Sequence, residues 1–349
     1  PEQRSGFRAD ITTGKIADIF DGRFHGSDHT LWVHQANIQY LADIPKVGDV
    51  KLTLGKFATL IGYEVVQAPY NHNVSRGVLW AAFQPIDHLG FLMSKTLDTR
   101  FHFLGSEGVI DLDFGVVNGF TDNDPDINHS KTWTGRARMT GENWSIAVAG
   151  ITGAEFSGSE SEKITVLDVI MTWDPFTDLS LWMNFDRMWS NTNGADPDGW
   201  GISVGGHYTI TERLSATLRV EFAQTENPAG AVFSTFSPNS PGLTGAVLPS
   251  GARSSVGWDE ETLSITGTLA YQLSDQIKVR GEIRWDDYER FCRRGRAIAG
   301  TTANNLQANA IGCSDSIFNE RSTDTNPAAL VGGGDSDQLV AGVDVIYEF

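Results

Sequence analysis

The stretch from Gln338 to Phe349 constrains the fold of this chain more than any other part of the sequence. One side of its period-two pattern carries Leu339, Ala341, Val343, Val345, Tyr347 and Phe349. The other side carries Gln338, Gly342, Asp344 and Glu348, with Val340 and Ile346 as exceptions. Alternation of this kind predicts a β-strand with one apolar face and one mixed face. An apolar face of this length must be covered by a second protein layer or by lipid.

Composition narrows the fold to two classes. The 349 residues are 40% hydrophobic, with a mean hydropathy of −0.21. No apolar run approaches the ~18 residues that a membrane-spanning helix needs. A soluble β-rich protein and a membrane barrel remain, because only helices and closed barrels satisfy their backbone within lipid. One strand with half of its connections takes roughly 20 residues, so the chain has material for about sixteen strands.

Clean alternation recurs along the chain, for example over residues 276–286, where charged and apolar side chains interleave. The predicted strands are 7–13, 31–42, 48–57, 76–84, 88–96, 98–105, 109–119, 132–140, 143–151, 164–173, 177–189, 200–209, 212–225, 258–271, 276–286 and 337–349. One long bent strand over 88–105 is an alternative to the hairpin, but it would make the number of strands odd. No linker divides the sequence, so we expect a single domain over residues 1–349.

The predicted connections alternate between short and long. Short turns fall at 42–49, 85–87, 141–143, 174–178, 209–212 and 274–276. Longer polar segments fall at 15–30, 58–75, 120–131, 152–163, 190–199, 226–257 and 287–336. Short turns at one rim and long loops at the other are typical of an outer-membrane barrel. A Greek-key sandwich would not alternate so strictly.

The ends, cysteines and charge of the chain bear on its compartment. The sequence starts at Pro1 with no visible signal peptide, so we expect a processed or truncated chain. Cys292 and Cys313 form an even pair within one loop-like stretch, which favours a disulfide and an oxidising compartment; two free thiols are the alternative. A net charge of −18 argues against a nucleic-acid partner, which needs a basic face.

The first third of the sequence carries a family resemblance. The residues are Gly55-Lys-Phe-Ala-Thr-Leu-Ile-Gly-Tyr-Glu64, Asn73, Ser75-Arg76, Pro85-Ile-Asp-His88 and Val117-Asn-Gly119. Together they resemble the OmpL-like β-barrel porins of bacteria, over roughly residues 7–130. The aromatic C-terminal strand is similar to the closing strand of outer-membrane barrels. The resemblance implies a porin in the bacterial outer membrane and does not identify a solute.

The polar faces of the predicted strands supply the candidate pore-lining residues. These are Glu64, Arg76, Asp111, Asp113, Arg136, Arg138, Asp186, Arg219, Glu221, Arg280, Glu282 and Arg284. Opposed acidic and basic surfaces would set a transverse field that acts on ions and dipolar solutes. The alternative is a set of structural ion pairs, which are worth little when exposed, ~0–1 kcal/mol.

The connection over residues 58–75 is unusually apolar, with Leu60, Ile61, Val65 and Val66. We expect it to fold into the lumen or over its mouth and to narrow the pore, because an apolar loop is poorly solvated. Glu64 and Arg76 would then lie near the constriction.

A second candidate site is a calcium loop. Asp122, Asp124 and Asp126 alternate as in calcium-binding loops, but the Gly and distal Glu of an EF-hand are missing. A solvated acidic loop is the alternative. Apart from calcium we expect no cofactor. No nucleophile-elbow, zinc-protease or phosphate-loop motif occurs, so we expect no enzyme activity.

These observations predict an all-β, antiparallel transmembrane barrel that passes small hydrophilic solutes and ions by passive diffusion. The expected surroundings are outer-membrane lipid and lipopolysaccharide, and the expected assembly is a homo-trimer. Two other functions remain open. One is a plugged outer-membrane barrel with a structural or adhesion role, and the other is a secreted soluble β-rich carbohydrate-binding protein.

Overall fold

A computed structural model describes residues 4–13, 31–103, 106–120, 129–156, 159–191, 198–226, 257–293 and 333–348 of the chain. Within these ranges, no helix has the length and apolar character required to cross a bilayer. The architecture is all-β, and the helical elements of the described residues are a short 3₁₀ turn at Ala68–Tyr70 and a short helix, α1, at Val78–Phe83.

Antiparallel strands make up nearly all of the regular structure. They are β1 (Ser5–Thr13), β2 (Leu31–Ile44), β3 (Gly48–Ala58), β4 (Asp87–Phe103), β5 (Ser106–Val117), β6 (Thr132–Thr140), β7 (Trp144–Phe156), β8 (Ser159–Phe176), β9 (Leu179–Ser190), β10 (Asp198–Thr209), β11 (Leu214–Glu226), β12 (Gly257–Gln272), β13 (Ile277–Arg293) and β14 (Gly333–Tyr347). They form a 14-stranded sheet whose order follows the sequence from β1 to β14.

The connections alternate in length, as the sequence predicts. Short connections follow every even-numbered strand from β2 to β12, at 45–47, 104–105, 141–143, 177–178, 210–213 and 273–276. Except for the β7–β8 connection, the connections after odd-numbered strands are longer, at 14–30, 59–86, 118–131, 191–197, 227–256 and 294–332. One predicted loop, 152–163, is wrong: β7 and β8 continue through most of it and leave only 157–158 between them.

A predicted hairpin and a predicted strand are also wrong. Asp87–Phe103 form one strand, β4, where the sequence predicted a hairpin, and its pairing with β5 contains a register shift between Leu97 and Phe101. Residues 76–84 form α1 instead of a strand. Val78, Leu79, Trp80, Ala81 and Phe83 are all buried, which a strand with one exposed face would not allow. The part of the chain that the structure describes contains fourteen strands, an even number, where the sequence predicts about sixteen.

The two faces of the strands differ sharply in chemistry. On β14, Leu339, Val343 and Val345 are 72%, 75% and 63% exposed, whereas Ile346 on the opposite face is buried. The same division holds on β11 to β13, where Leu218, Leu269 and Ile283 are exposed. Exposed apolar rows along many neighbouring strands fit a lipid-facing surface. The predicted alternation is thus present in the folded chain.

The chain divides into two compact units, each described here by itself. Unit 1 contains Pro1–Ile61 and Gln84–Asp168, and unit 2 contains Gly62–Phe83 and Val169–Phe349. In unit 1, Phe57, Leu60, Leu92 and Val117 form a buried apolar cluster. The sheet order begins at β1 and ends at β14. Closure by pairing of those two strands, and the single domain, remain predictions.

An arginine scan of the apolar face tests the lipid assignment. Leu218 in the middle of β11 and Leu273 in the β12–β13 turn are each 54% exposed. We expect Leu218→Arg to lower the free energy of unfolding by about 2–4 kcal/mol, because the charge would lie in hydrocarbon. The matched variant Leu273→Arg should change it by less than about 1 kcal/mol.

Both variants are measured by denaturant unfolding in phospholipid vesicles. Equal and small effects would contradict the lipid-facing assignment of β11, because a water-exposed leucine tolerates arginine equally well at both positions.

Candidate functional site

The connection between β3 and β4 turns back onto the polar face of unit 2. We call residues 62–83 the covering segment. Its backbone and side chains contact the face of β9–β13 that is opposite to the exposed apolar rows. The contacts bring together residues separated by more than a hundred positions in the sequence, so they exist only in the folded chain.

A cluster of two glutamates and one arginine holds the start and the middle of the covering segment. Glu64 Oε1 lies 2.6 Å from Arg219 Nη1, and Glu64 Oε2 accepts a hydrogen bond from the Gly77 N–H at 2.5 Å. Arg219 Nε lies 2.9 Å from Glu221 Oε2. Glu221 then accepts the Val78 N–H at 3.1 Å and the Leu79 N–H at 3.4 Å. A strand carboxylate thus caps the first amides of α1, which have no partner within the helix.

A second group on β13 holds residues 71–76. Arg280 donates to the carbonyl oxygens of Asn71 and Asn73 at 2.5 and 3.1 Å, and its guanidinium also pairs with Asp344. Glu282 accepts the amides of Val74 and Ser75 at 2.7 and 2.9 Å. Backbone groups of an irregular segment need partners when buried, and these two side chains provide them.

Arg284 and Thr268 complete this group. Arg284 donates to the Arg76 carbonyl at 2.7 Å and pairs with Asp286 at the same distance. Thr268 donates to Glu282 Oε2 at 2.7 Å and receives the Asn73 side-chain amide at 2.8 Å. Charge-assisted bonds of this kind are stronger than neutral ones, so the segment is firmly fixed.

The covering segment also braces itself. The buried Asn71 side chain accepts the Val65 N–H at 2.9 Å and donates to the carbonyls of Val65 and Gln67 at 2.7 and 2.9 Å. Arg76 donates to the carbonyls of Val65, Val66 and Val74 at 2.8, 2.7 and 3.2 Å. The tip between residues 65 and 74 is therefore a closed, hydrogen-bonded loop.

A row of stacked rings lies at the same interface. Tyr63 stacks on Trp182 with ring centroids 5.2 Å apart, and His72 stacks on Trp182 at 5.6 Å. His72 also stacks on His207 at 4.2 Å. Gly205 makes room for the indole, because a Cβ there would lie 2.0 Å from a Trp182 ring carbon. The Tyr63 N–H donates to Asn184 Oδ1 at 2.8 Å.

Burial shifts the pKa values of His72 and Glu64 in the covering segment. It lowers the pKa of His72 to about 4, and His207, Lys278 and Arg280 act in the same direction while Asp174 opposes them. Burial raises the pKa of Glu64, with Arg219 opposing the shift and Glu221 reinforcing it. Protonation of His72 would therefore put a positive charge where other cations already lie.

The sequence-predicted site residues of unit 2 all lie at this interface. Arg219, Glu221 and Arg280 are 1%, 1% and 2% exposed, and Asp186, Glu282 and Arg284 are buried as well. Glu64 and Arg76 belong to the covering segment itself. Arg219, Glu221, Arg280, Glu282 and Arg284 bind the segment. Asp186 accepts a hydrogen bond from the side chain of Asn184 on its own strand. A pore-lining role for them stays a prediction.

The predicted residues of unit 1 form a separate, more accessible group. Asp113 pairs with Arg136 at 2.8 Å, and Asp111 accepts a hydrogen bond from Thr96 at 2.5 Å. Arg138 lies directly opposite Asp111 in the β5–β6 ladder. Asp111, Asp113 and Arg136 line an open cavity of about 780 Å³. Both signs of charge lie on this wall, as the pore hypothesis expects.

Two predicted sites lie outside the described residues. Asp122, Asp124 and Asp126 are not described, and neither is Cys313, so the calcium site and the disulfide stay predictions. Within the described ranges, no three metal-ligating side chains lie close enough to hold an ion.

The sequence alone did not identify Asn71, Thr268, Gly77 or His207 as parts of the site. One signal was visible: Trp182 falls on the polar side of its strand. A large aromatic ring on a polar face indicates that another part of the chain covers it.

A glycine substitution tests the cap on α1. A Cβ on Gly77 would lie 2.1 Å from Glu221 Oε1, so Gly77→Ala must displace this carboxylate from the Val78 and Leu79 amides. We expect a loss of about 1–3 kcal/mol of local stability. Amide hydrogen exchange of residues 62–83 should quicken about tenfold. Gly342→Ala, with no atom within 4 Å of its added Cβ, is the control and should leave exchange unchanged.

A second test uses pH. The pKa of His72 is about 4 in the folded chain, below the usual value of 6.5. Its neutral form is favoured by folding, so its stabilisation is complete above pH 6.5 and declines as the pH falls toward 4. The hydrogen-exchange protection factors of residues 71–76, which are the intrinsic exchange rates at each pH divided by the observed rates, should fall as the pH is lowered across this window.

His72→Gln removes the titrating group and should flatten the response between pH 6.5 and 4. An unchanged pH response in that variant would contradict the role of His72.

The chain is similar to solved structures of outer membrane proteins. OmpT of Vibrio cholerae in its trimer form has a TM-score of 0.48 and 13% identity, over 75% of this chain and 72% of that chain. The outer membrane channel DcaP of Acinetobacter baumannii has a TM-score of 0.45 and 11% identity, over 84% of this chain and 76% of that chain. No curated protein matches the sequence.

The family assignment comes from the sequence over its full length. A family model described as "Putative beta-barrel porin-2, OmpL-like" matches residues 1–349. This confirms the resemblance found in the first third of the chain. The chain belongs to the OmpL-like β-barrel porins and is an outer-membrane porin of bacteria.

Proposed function

We propose that this porin is a passive diffusion channel for small hydrophilic solutes and ions, and that the covering segment narrows its lumen. The observation that carries the proposal is the attachment of residues 62–83 to the polar face of β9–β13 by Glu64, Arg219, Arg280 and Glu282. In a closed barrel the polar face encloses the aqueous path, so a segment fixed there reduces the open cross-section.

The chemistry of the described residues supports transport rather than catalysis. In unit 2, Glu282 and Arg284 are engaged with backbone groups of the covering segment, and Arg219 pairs with Glu221. In unit 1, Asp111, Asp113 and Arg136 line a cavity of about 780 Å³. We propose that the protein acts without catalytic chemistry. We also propose a homo-trimer embedded in outer-membrane lipid and lipopolysaccharide, which chemical cross-linking in mild detergent can test.

Shortening the tip of the covering segment tests the proposal. The Arg76 guanidinium bonds both Val65 O and Val74 O, so the two ends of residues 66–73 lie close and two glycines can join them. We expect this deletion to raise single-channel conductance in planar bilayers about twofold or more, because the open cross-section grows. Val345→Ala, on the exposed apolar face, is the control and should leave conductance unchanged.

Two results would contradict the proposal. Equal conductance of the wild type and the deletion variant would show that residues 66–73 do not narrow the path. A wild type and a deletion variant that both fail to conduct would favour a plugged barrel with a structural role.

A further inference from the structure

The covering segment contains few charged side chains, and all of them are turned inward or engaged. Residues 62–83 contain one acidic residue, Glu64, one arginine, Arg76, and one histidine, His72. Glu64 binds Arg219 and the Gly77 amide, and Arg76 binds carbonyl groups of its own loop. His72 is stacked on His207 and Trp182. The surface that the segment presents to solvent is therefore electrically neutral.

That surface is apolar and aromatic. Its sequence from residue 65 to 70 is Val-Val-Gln-Ala-Pro-Tyr. Tyr70 is 79% exposed, the most exposed large side chain of the segment. Val65 and Pro69, the residue before Tyr70, are exposed as well. An exposed aromatic ring offers a flat contact surface for a passing solute.

The backbone under Tyr70 is held rigidly. Tyr70 ends the 3₁₀ turn Ala68–Tyr70, and its N–H donates to the Gln67 carbonyl at 3.2 Å. The next residue, Asn71, is buried and makes hydrogen bonds to Val65 and Gln67. Arg280 fixes the Asn71 carbonyl to β13 at 2.5 Å. A ring presented from an ordered backbone loses little freedom on binding, which strengthens weak contacts.

We propose that Tyr70 is a stacking platform for the apolar face of neutral sugar rings, with Val65 and Pro69 extending it. A pyranose ring has C–H groups on one face and hydroxyl groups at its edge, so it can contact an aromatic ring while its edge stays hydrated. The segment offers no free charge that would select an ionic solute. This inference rests on the proposed channel function and names a solute class for it.

The test uses maltotriose as the probe and sorbitol, an acyclic polyol without a sugar ring, as the control solute. Each is titrated against single-channel potassium chloride current in planar bilayers. We expect maltotriose to block the wild-type current in a saturable manner and sorbitol not to do so. Tyr70→Ala should weaken the apparent affinity for maltotriose about 3- to 10-fold, the range expected from one aromatic contact. Tyr70→Trp should keep it within about twofold of the wild-type value.

The outcomes separate the inference from the proposed function. Salt current in Tyr70→Ala shows that the variant is folded, because removing a side chain that is 79% exposed leaves no internal cavity. A wild type that conducts salt but shows no saturable block by maltotriose would overturn the Tyr70 inference alone. So would a Tyr70→Ala variant with unchanged maltotriose affinity. Absence of salt current in the wild type would instead count against the channel function.

Discussion

Complete pairing of backbone N–H and C=O groups within a sheet is the constraint on which this structure depends. Hydrocarbon offers no hydrogen-bond partners, so a membrane-spanning chain without long apolar helices must satisfy its backbone between neighbouring strands. Such strands expose alternate residues to opposite surroundings. Leu218 is exposed and the next residue, Arg219, is buried. Likewise, Ile283 is exposed and the next residue, Arg284, is buried. Consecutive residues of one strand therefore lie on opposite faces. The alternating sequence is the direct consequence.

The covering segment meets the same constraint by different means. It is too irregular to join the sheet, so its backbone groups find partners on side chains: Glu221 for the start of α1, Glu282 for residues 74 and 75, and Arg280 for residues 71 and 73. Buried ionised groups are costly without partners, which explains why carboxylates and guanidinium groups occur together here. The charged residues of unit 2 therefore fix the shape of the segment.

The charged residues of the strands differ in what they contact. Arg219, Arg280 and Glu282 of unit 2 hold the segment. In unit 1, Asp113 and Arg136 pair with each other and line a cavity. The segment itself presents Tyr70 and its apolar neighbours to solvent. Selection by charge and selection by contact with a ring can thus depend on different residues of one channel.

Much of the fold was predictable from local pattern. Strand faces follow from period-two alternation, which is a property of neighbouring residues, and the predicted faces of β11 to β14 match the structure. The type and number of elements were less predictable in two stretches. Within residues 88–105 the sequence predicted a hairpin, whereas the structure has the single strand β4 with a register shift against β5. Whether such a stretch forms one strand or two depends on its pairing with β5, which is not visible in the local sequence. Residues 76–84 read as a strand because they are apolar, but α1 is buried on all sides, which sequence periodicity over so few residues does not show.

The site shows the same limit. The sequence indicated that residues 58–75 would not be freely solvated, and it singled out Glu64 and the arginines of the polar faces. It could not pair Glu64 with Arg219, or His72 with His207, because those contacts join residues more than a hundred positions apart. The sequence by itself determined the two faces of each strand, since alternation is local. Only the tertiary structure decided which polar residues hold the covering segment and which meet water, because that depends on where an irregular segment comes to rest.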